Sequence, residues 1–191
     1  MNVALSPDEI ARACADAMWK EDDASKGLGM KIVEVKPGFA TLTMTVQLLG
    51  PNGELHGTAT LAQTGTDTRV RAQVSGLAPG SYAIHLHSVG QCVGPDFKTA
   101  GGHFNPTTHQ HGKDNPAGPH MGDLPNISVG TDGQGSLDAT IAGLQMKGGA
   151  APLLDADGAA VVLHAGPDDY KTDPTGNSGA RIACGALVAT G

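Results

Sequence analysis

The sequence predicts an all-β fold: an antiparallel sandwich or barrel of about eight short strands, preceded by an α-helical appendage. Two observations carry this. From Ala40 onward, apolar and polar residues alternate with a period of two in one segment after another. The composition is also that of many turns between short strands, with 28 Gly and 12 Pro in 191 residues and only 3% aromatic side chains,. The length suits one domain with a full core plus an appendage, and not two complete domains. Residues 1–39 form the helical appendage in this reading, and residues 40–191 form the β domain.

In the appendage, Ser6 is placed to cap a helix, Pro7 suits its first turn and Glu9 completes an S-x-x-E capping box,. The helix is expected to stop near Gly27. Ile10, Cys14, Ala17 and Met18 fall at helical spacing and form a stripe able to cover one edge of a larger body. The first strand follows in ATLTMTVQLL, where Leu42, Met44, Val46 and Leu48 alternate with Thr41, Thr43, Thr45 and Gln47,. GPNGE supplies turn residues. Strand patterns recur in LHGTATLAQ, TRVRAQVSGL, SYAIHLH, NISVG, GSLDATI, AAVVLHA and ARIACGALVA. Two irregular stretches, 88–125 and 165–179, are too long for hairpin turns, and loops of that length in a compact domain usually carry function.

The net charge of −7 argues against nucleic acid or an anionic membrane as partner,. No apolar run approaches the roughly 20 residues needed to span a bilayer. The start, MNVALSPDEI, is acidic and lacks the basic and apolar regions of an export signal,. Three cysteines, Cys14, Cys92 and Cys184, allow one disulfide and one leftover thiol,.

The chemistry concentrates in histidines. His85 and His87 are two apart on a strand, so both point to one face while Ile84 and Leu86 point to the other. The first long loop carries His103, His111, His120 and Asp123, three nitrogens and an oxygen that suit a tetrahedral zinc site. His109 sits in the same loop, and spacing alone does not say which of the cluster bind. His164 ends the apolar run AAVVL and, with His85 and His87, offers a second nitrogen-rich site of the kind copper favours. Arg181 opens the last strand, three residues before Cys184, either as a surface charge or as part of a site.

The motifs AIHLH, AGGHFNPTTHQH, GPHMGDLPN, VVLHAGPDDY and GNSGARIACG resemble, in order and spacing, those of bacterial-type copper/zinc superoxide dismutases. The resemblance runs from about residue 40 to 191. It implies an eight-stranded Greek-key barrel of immunoglobulin-like sandwich architecture with two long functional loops. It further implies copper on His85, His87, His103 and His164, and zinc on His103, His111, His120 and Asp123, with His103 shared. His56 and His109 fall outside both sets. Asp168 matches an aspartate that hydrogen-bonds ligands of both metals, Arg181 matches the arginine that guides superoxide to copper, and Cys92 and Cys184 match the family disulfide. Lys171 is a further positive charge that can help attract the anion. The resemblance implies the superoxide anion as substrate and is compatible with a homodimer. A periplasmic location is expected from the family, whereas the missing export signal leaves the cytoplasm open.

Two alternatives stand beside this one. A copper/zinc-binding module of the same fold would bind metal without catalysis. The first 46 residues, on the other hand, resemble the N-terminal helix and first strand of small hotdog thioesterases of the phenylacetate-degradation type, and NGELHG at 52–57 resembles elements of their active loop. A hotdog fold requires a central helix next, where TATLAQTGTDTRVRAQV shows a two-period strand pattern instead.

Overall fold

The computed structural model describes residues 5–22, 26, 30–37 and 39–188. Helix α1 (Pro7–Glu21) starts where the cap places it: Ser6 Oγ accepts the Glu9 N–H at 3.3 Å, and the Glu9 carboxylate accepts the Ser6 N–H at 2.7 Å. It ends at Glu21, with the Asp22 N–H on the Trp19 carbonyl, short of Gly27, which lies outside the described residues. The inward stripe is Ala11, Ala15 and Trp19, with Trp19 packed against the main core. The expected stripe is turned away, Ile10 being 50% and Met18 76% exposed. Small alanines let the helix lie close to its neighbour while tryptophan supplies the contact area.

That neighbour is a strand the sequence reading did not include. β1 (Lys31–Lys36) pairs antiparallel with the first part of β2 (Phe39–Leu49), from Lys36↔Phe39 to Lys31↔Thr43. The described residues ahead of β2 thus hold a strand as well as the helix. The physical reason lies in β2, whose other neighbour on that side, β10 (Arg181–Leu187), meets it only at Leu49. The outer half of β2 would otherwise present an unpaired edge.

The remaining strands are β3 (Leu55–Thr64), β4 (Asp67–Val74), β5 (Gly80–Tyr82), β6 (Ile84–His87), β7 (Ile127–Val129), β8 (Gly135–Ile141) and β9 (Ala159–His164). Residues 58–74, where a hotdog helix would lie, form most of the β3–β4 hairpin. The hydrogen-bonded order is β5-β7-β8-β4-β3-β2-β10-β9-β6. β5 and β6 are two halves of one segment divided at Ala83, one pairing with β7 and the other with β9, so the two ends of the order meet. The result is a nearly closed antiparallel barrel of eight staves. β4 lies beside β8 and β6 beside β9, the crossing connections of a Greek key,.

Alternation decides what is inside. In β4, Thr68, Val70, Ala72 and Val74 are buried while Asp67, Arg69, Arg71 and Gln73 are exposed. The core gathers Leu48, Leu61, Val70, Ile84, Leu86 and Leu163 among others. β6 and β9 depart from the pattern, with every residue buried, because the loops 88–126 and 165–180 cover their outer face. A second apolar cluster of Phe97, Ala100, Ala160, Val162 and Cys184 joins the first loop to that face. The Cys92–Cys184 disulfide, Cα atoms 5.6 Å apart, ties the loop to β10 as expected, and Cys14 is a free, exposed thiol.

Candidate metal centre

β6 supplies the base of the site. His85 and His87 point outward from the barrel, and the first loop folds back along them as an added layer, with His103 opposite His87 and Asp123 opposite His85. The approach is close: Gly122 N–H bonds the Phe104 carbonyl, the Leu86 N–H bonds the Gly122 carbonyl, and a Cβ on Gly122 would overlap the Leu86 carbonyl oxygen. Only glycine fits there. β9 delivers His164 beside β6, and β10 begins at Arg181 directly across from His164.

Among the described residues, three groups bring one donor atom each to within 4.8 Å of one another: His85, His87, His103 and His164; His103, His111, His120 and Asp123; and His85, His111 and Asp168. The first two are the sets expected from the sequence, and they share His103. The third centres on Asp168, whose two oxygens meet His85 Nε2 at 2.8 Å and His111 Nε2 at 2.9 Å.

The outward nitrogen of each ring is held, which decides what the other nitrogen faces. His85 Nε2 is on Asp168, His87 Nδ1 on the Gly101 carbonyl at 3.0 Å, His103 Nδ1 on Asp123 at 2.8 Å and His164 Nδ1 on Ser178 at 3.1 Å. The nitrogens turned toward the cluster are His85 Nδ1 and His164 Nε2, which lie 3.2 Å from each other, together with His87 Nε2 and His103 Nε2. Of these, His87 Nε2 and His103 Nε2 are buried with no hydrogen-bond partner. An unpartnered buried nitrogen is costly, and two converging on one spot fit a metal ion that completes them. At the second set, Asp123 Oδ1 lies 2.8 to 3.3 Å from the Nδ1 atoms of His103, His111 and His120. Its Oδ2 accepts the N–H groups of Gly112 and His120. One oxygen amid three nitrogens is a donor set suited to zinc.

Burial controls the charge states. It pushes His85 down to about 4, His87 to about 2 and His164 to about 3, so all three rings are neutral at pH 7, the form that ligates metal,. Burial also works against the charged form of His111, but hydrogen bonds to Asp123 and Asp168 hold it up at about 9. Burial opposes ionisation of Asp123 and Asp168 too, and bonds to His103 and His111, and to His111 and His85, outweigh it, holding both well below the usual carboxylate range.

A cavity of about 320 Å³ opens onto the first set, lined by His87, His103, His164, Thr175 and Arg181 among others. Two guanidinium N–H groups of Arg181 donate to the carbonyls of Phe97 and Gly101, each at 2.7 Å. Larger hollows elsewhere are remote from this chemistry.

A family model described as copper/zinc superoxide dismutase matches residues 55–187. The chain belongs to the copper/zinc superoxide dismutase family. Among curated relatives, superoxide dismutase [Cu-Zn] 1 of Aquifex aeolicus is 44% identical over 144 residues, covering 73% of this chain and 84% of that protein. The superoxide dismutase [Cu-Zn] of Caulobacter vibrioides is 41% identical over 139 residues, covering 71% and 80%. A crystal structure of a superoxide dismutase-like protein from Bacillus subtilis superposes with a TM-score of 0.71 at 41% identity, covering 75% of this chain and 97% of that one. The family match starts at β3, yet β2 is a full stave of the barrel.

Two histidines fall outside both sets, as expected. His109 is exposed with Nδ1 on the Pro119 carbonyl, and His56 lies on the β3 side, 3.6 Å from Glu54. Lys171 is exposed and does not line the cavity. The sequence reading missed three supports. Asn126 clamps Asp168 by accepting its N–H and donating to its carbonyl. The Gly101 carbonyl serves both His87 and Arg181. Ser178 contacts His164. Only Asn126, a side-chain amide just ahead of a strand, carried a sequence signal, and that signal was a turn signal.

Proposed function

We propose that this chain is a superoxide dismutase, converting two superoxide anions and two protons into oxygen and hydrogen peroxide. In this reading copper is held by His85, His87, His103 and His164, and zinc by His103, His111, His120 and Asp123. The observation that carries it is the pair of unpartnered buried nitrogens, His87 Nε2 and His103 Nε2, beside His85 Nδ1 and His164 Nε2 in a single cluster. Bound copper would supply the one-electron redox change, and zinc, which has none, would be held by its own four residues without taking part in electron transfer.

The chain's own residues do the rest. Arg181 puts the guanidinium charge on the cavity wall of an otherwise acidic protein, a local attraction for a small anion,. Two backbone carbonyls hold that guanidinium in place. His103 Nε2 faces the cavity region with no competing partner and is the atom suited to hold and release a proton. Asp168 orients one ring from each set, a support that sets ligand basicity.

A relative of comparable identity, 43% over 148 residues, is named only superoxide dismutase-like. Similarity alone therefore does not separate enzyme from metal-binding module. The complete donor sets together with Arg181 favour the enzyme. Loading the purified chain with both metals, followed by metal analysis and a superoxide-consumption assay, tests it. One copper and one zinc per chain with rapid superoxide loss is expected. Zinc alone at saturating copper, or both metals without superoxide loss, overturns it. Light scattering on the same sample decides between monomer and the homodimer compatible with the family.

A further inference from the structure

We propose that Ser178 is a positioning residue for His164: its hydroxyl sets the ring tautomer that leaves the Nε2 lone pair facing the four-histidine cluster. Ser178 is fully buried. Its Oγ lies 2.8 Å from the Thr175 carbonyl oxygen and 3.1 Å from His164 Nδ1. A hydroxyl has one hydrogen, and a carbonyl can only accept. The hydrogen therefore goes to Thr175, and Oγ is left as the acceptor toward His164. That acceptor favours the ring proton on Nδ1 and a bare Nε2, against the pull of His85 Nδ1, which lies 3.2 Å from His164 Nε2 and accepts there because His85 Nε2 is on Asp168.

No other group does this as well. The next acceptor, the Gly179 carbonyl, is 3.5 Å from Nδ1, at the outer limit of a hydrogen bond. The other three rings of the cluster lean on stronger acceptors: carboxylates for His85 and His103, and a backbone carbonyl for His87. His164 is the ring in this set that leans on a hydroxyl. The hydroxyl is itself fixed, because the backbone of Ser178 is bonded on both sides, its N–H to the Thr175 carbonyl and its carbonyl to the Gly166 N–H. Thr175 also lines the cavity. The run from Thr175 through Ser178 to His164 thus ties the cavity wall to the end of β9. Hydrogen-bonded partners of metal-binding histidines fix tautomer and raise basicity, and their loss typically weakens metal affinity 10–100-fold.

This inference rests on the copper reading, and its test is chosen to stand apart from it. In the zinc-loaded full chain labelled with ¹⁵N-histidine, the tautomer of His164 is read directly from its ring nitrogen shifts. Wild type is expected to be protonated at Nδ1. Ser178→Ala should give a mixture of tautomers, with copper affinity lower by about tenfold or more and zinc affinity unchanged. Ser178→Cys keeps the side-chain size with a weaker acceptor and should fall between the two. It decides the matter if the alanine variant does not fold. An unchanged tautomer and copper affinity in both variants overturns the proposal. So does a parallel loss of zinc, copper and thermal stability, which would make the hydroxyl a support of the loop only. Wild-type copper affinity, measured in the same series, tests the copper reading separately, since the tautomer is scored without copper.

Discussion

Arg181 and Asp168 sit at opposite ends of the site and make opposite predictions. Arg181 is attached to two backbone carbonyls and, among the described residues, pairs with no carboxylate, so its charge is available to an incoming anion. Arg181→Ile should cut the superoxide rate about tenfold or more, with metal content and melting temperature nearly unchanged, and Lys should restore part of the loss. The wild-type rate should also fall with added salt, since the Debye length is about 8 Å at physiological ionic strength. A rate indifferent to salt would count against steering. Asp168, in contrast, holds His85 and His111 and does not line the cavity beside Arg181. Asp168→Asn should lower affinity for both metals, on the order of 10–100-fold, as measured by competition with chelators. Which histidines matter was half legible. His85 and His87 follow from the strand period. The choice of His103 over His109 does not, because a loop has no period. It is made by the bridge that sets His103 opposite His87.

At the scale of elements, the two long loops hold the donors and the barrel strands hold the loops. The first loop is attached by the disulfide, by Phe97 in its small apolar cluster, and by its pairing along β6. Its Asp123 Oδ1 contacts are all to the three histidines of the same donor set, so metal and loop order are linked,. Removing both metals should therefore raise amide hydrogen exchange at 101–125 and 166–180 while leaving β3, β4 and β8 protected, as read by mass spectrometry. Uniform loss of protection would show that the barrel depends on the metals as well. Reducing the Cys92–Cys184 bridge frees a loop whose ends are 92 residues apart in sequence. In the chain-entropy model that costs about 4 to 5 kcal/mol, to be checked by denaturant titration with and without reductant. Most of the eight staves were legible because they alternate, and β9 as a short apolar run. β1 was not, since KIVEVK is short, is flanked by lysines, and owes its pairing to the open half of β2.

For the molecule as a whole, the barrel needs β2 and the site does not need α1. β2 carries the buried Met44 and Leu48 and joins β3 to β10, although the family match begins only at Leu55. Trp19 of α1 and Met30, just ahead of β1, add to the core, but this part of the chain supplies no donor among the described residues. Deleting residues 1–36 should keep copper and zinc binding at a lower melting temperature. Deleting residues 1–49 should abolish folding, because a stave and its core side chains are lost, a change beyond the roughly 2 to 5 kcal/mol of a single Leu48→Ala. Metal analysis and circular dichroism on the two truncations would separate these outcomes. A short form that folds and binds both metals would show that β2 is dispensable.

The sequence by itself determined the run or period that marks the barrel staves, the capped helix and the supply of imidazole and carboxylate groups. These depend on neighbours two, three or four residues apart, which the chain states directly. Only the tertiary structure decided which six of the eight histidines converge, which nitrogen each one turns inward, and that Arg181 faces a cavity and not the solvent. Those outcomes depend on contacts between residues far apart in the chain: Gly122 against Leu86, Asn126 on Asp168, Ser178 on His164. A loop side chain has no periodicity to announce its direction, and it is aimed by whatever backbone the fold brings up behind it.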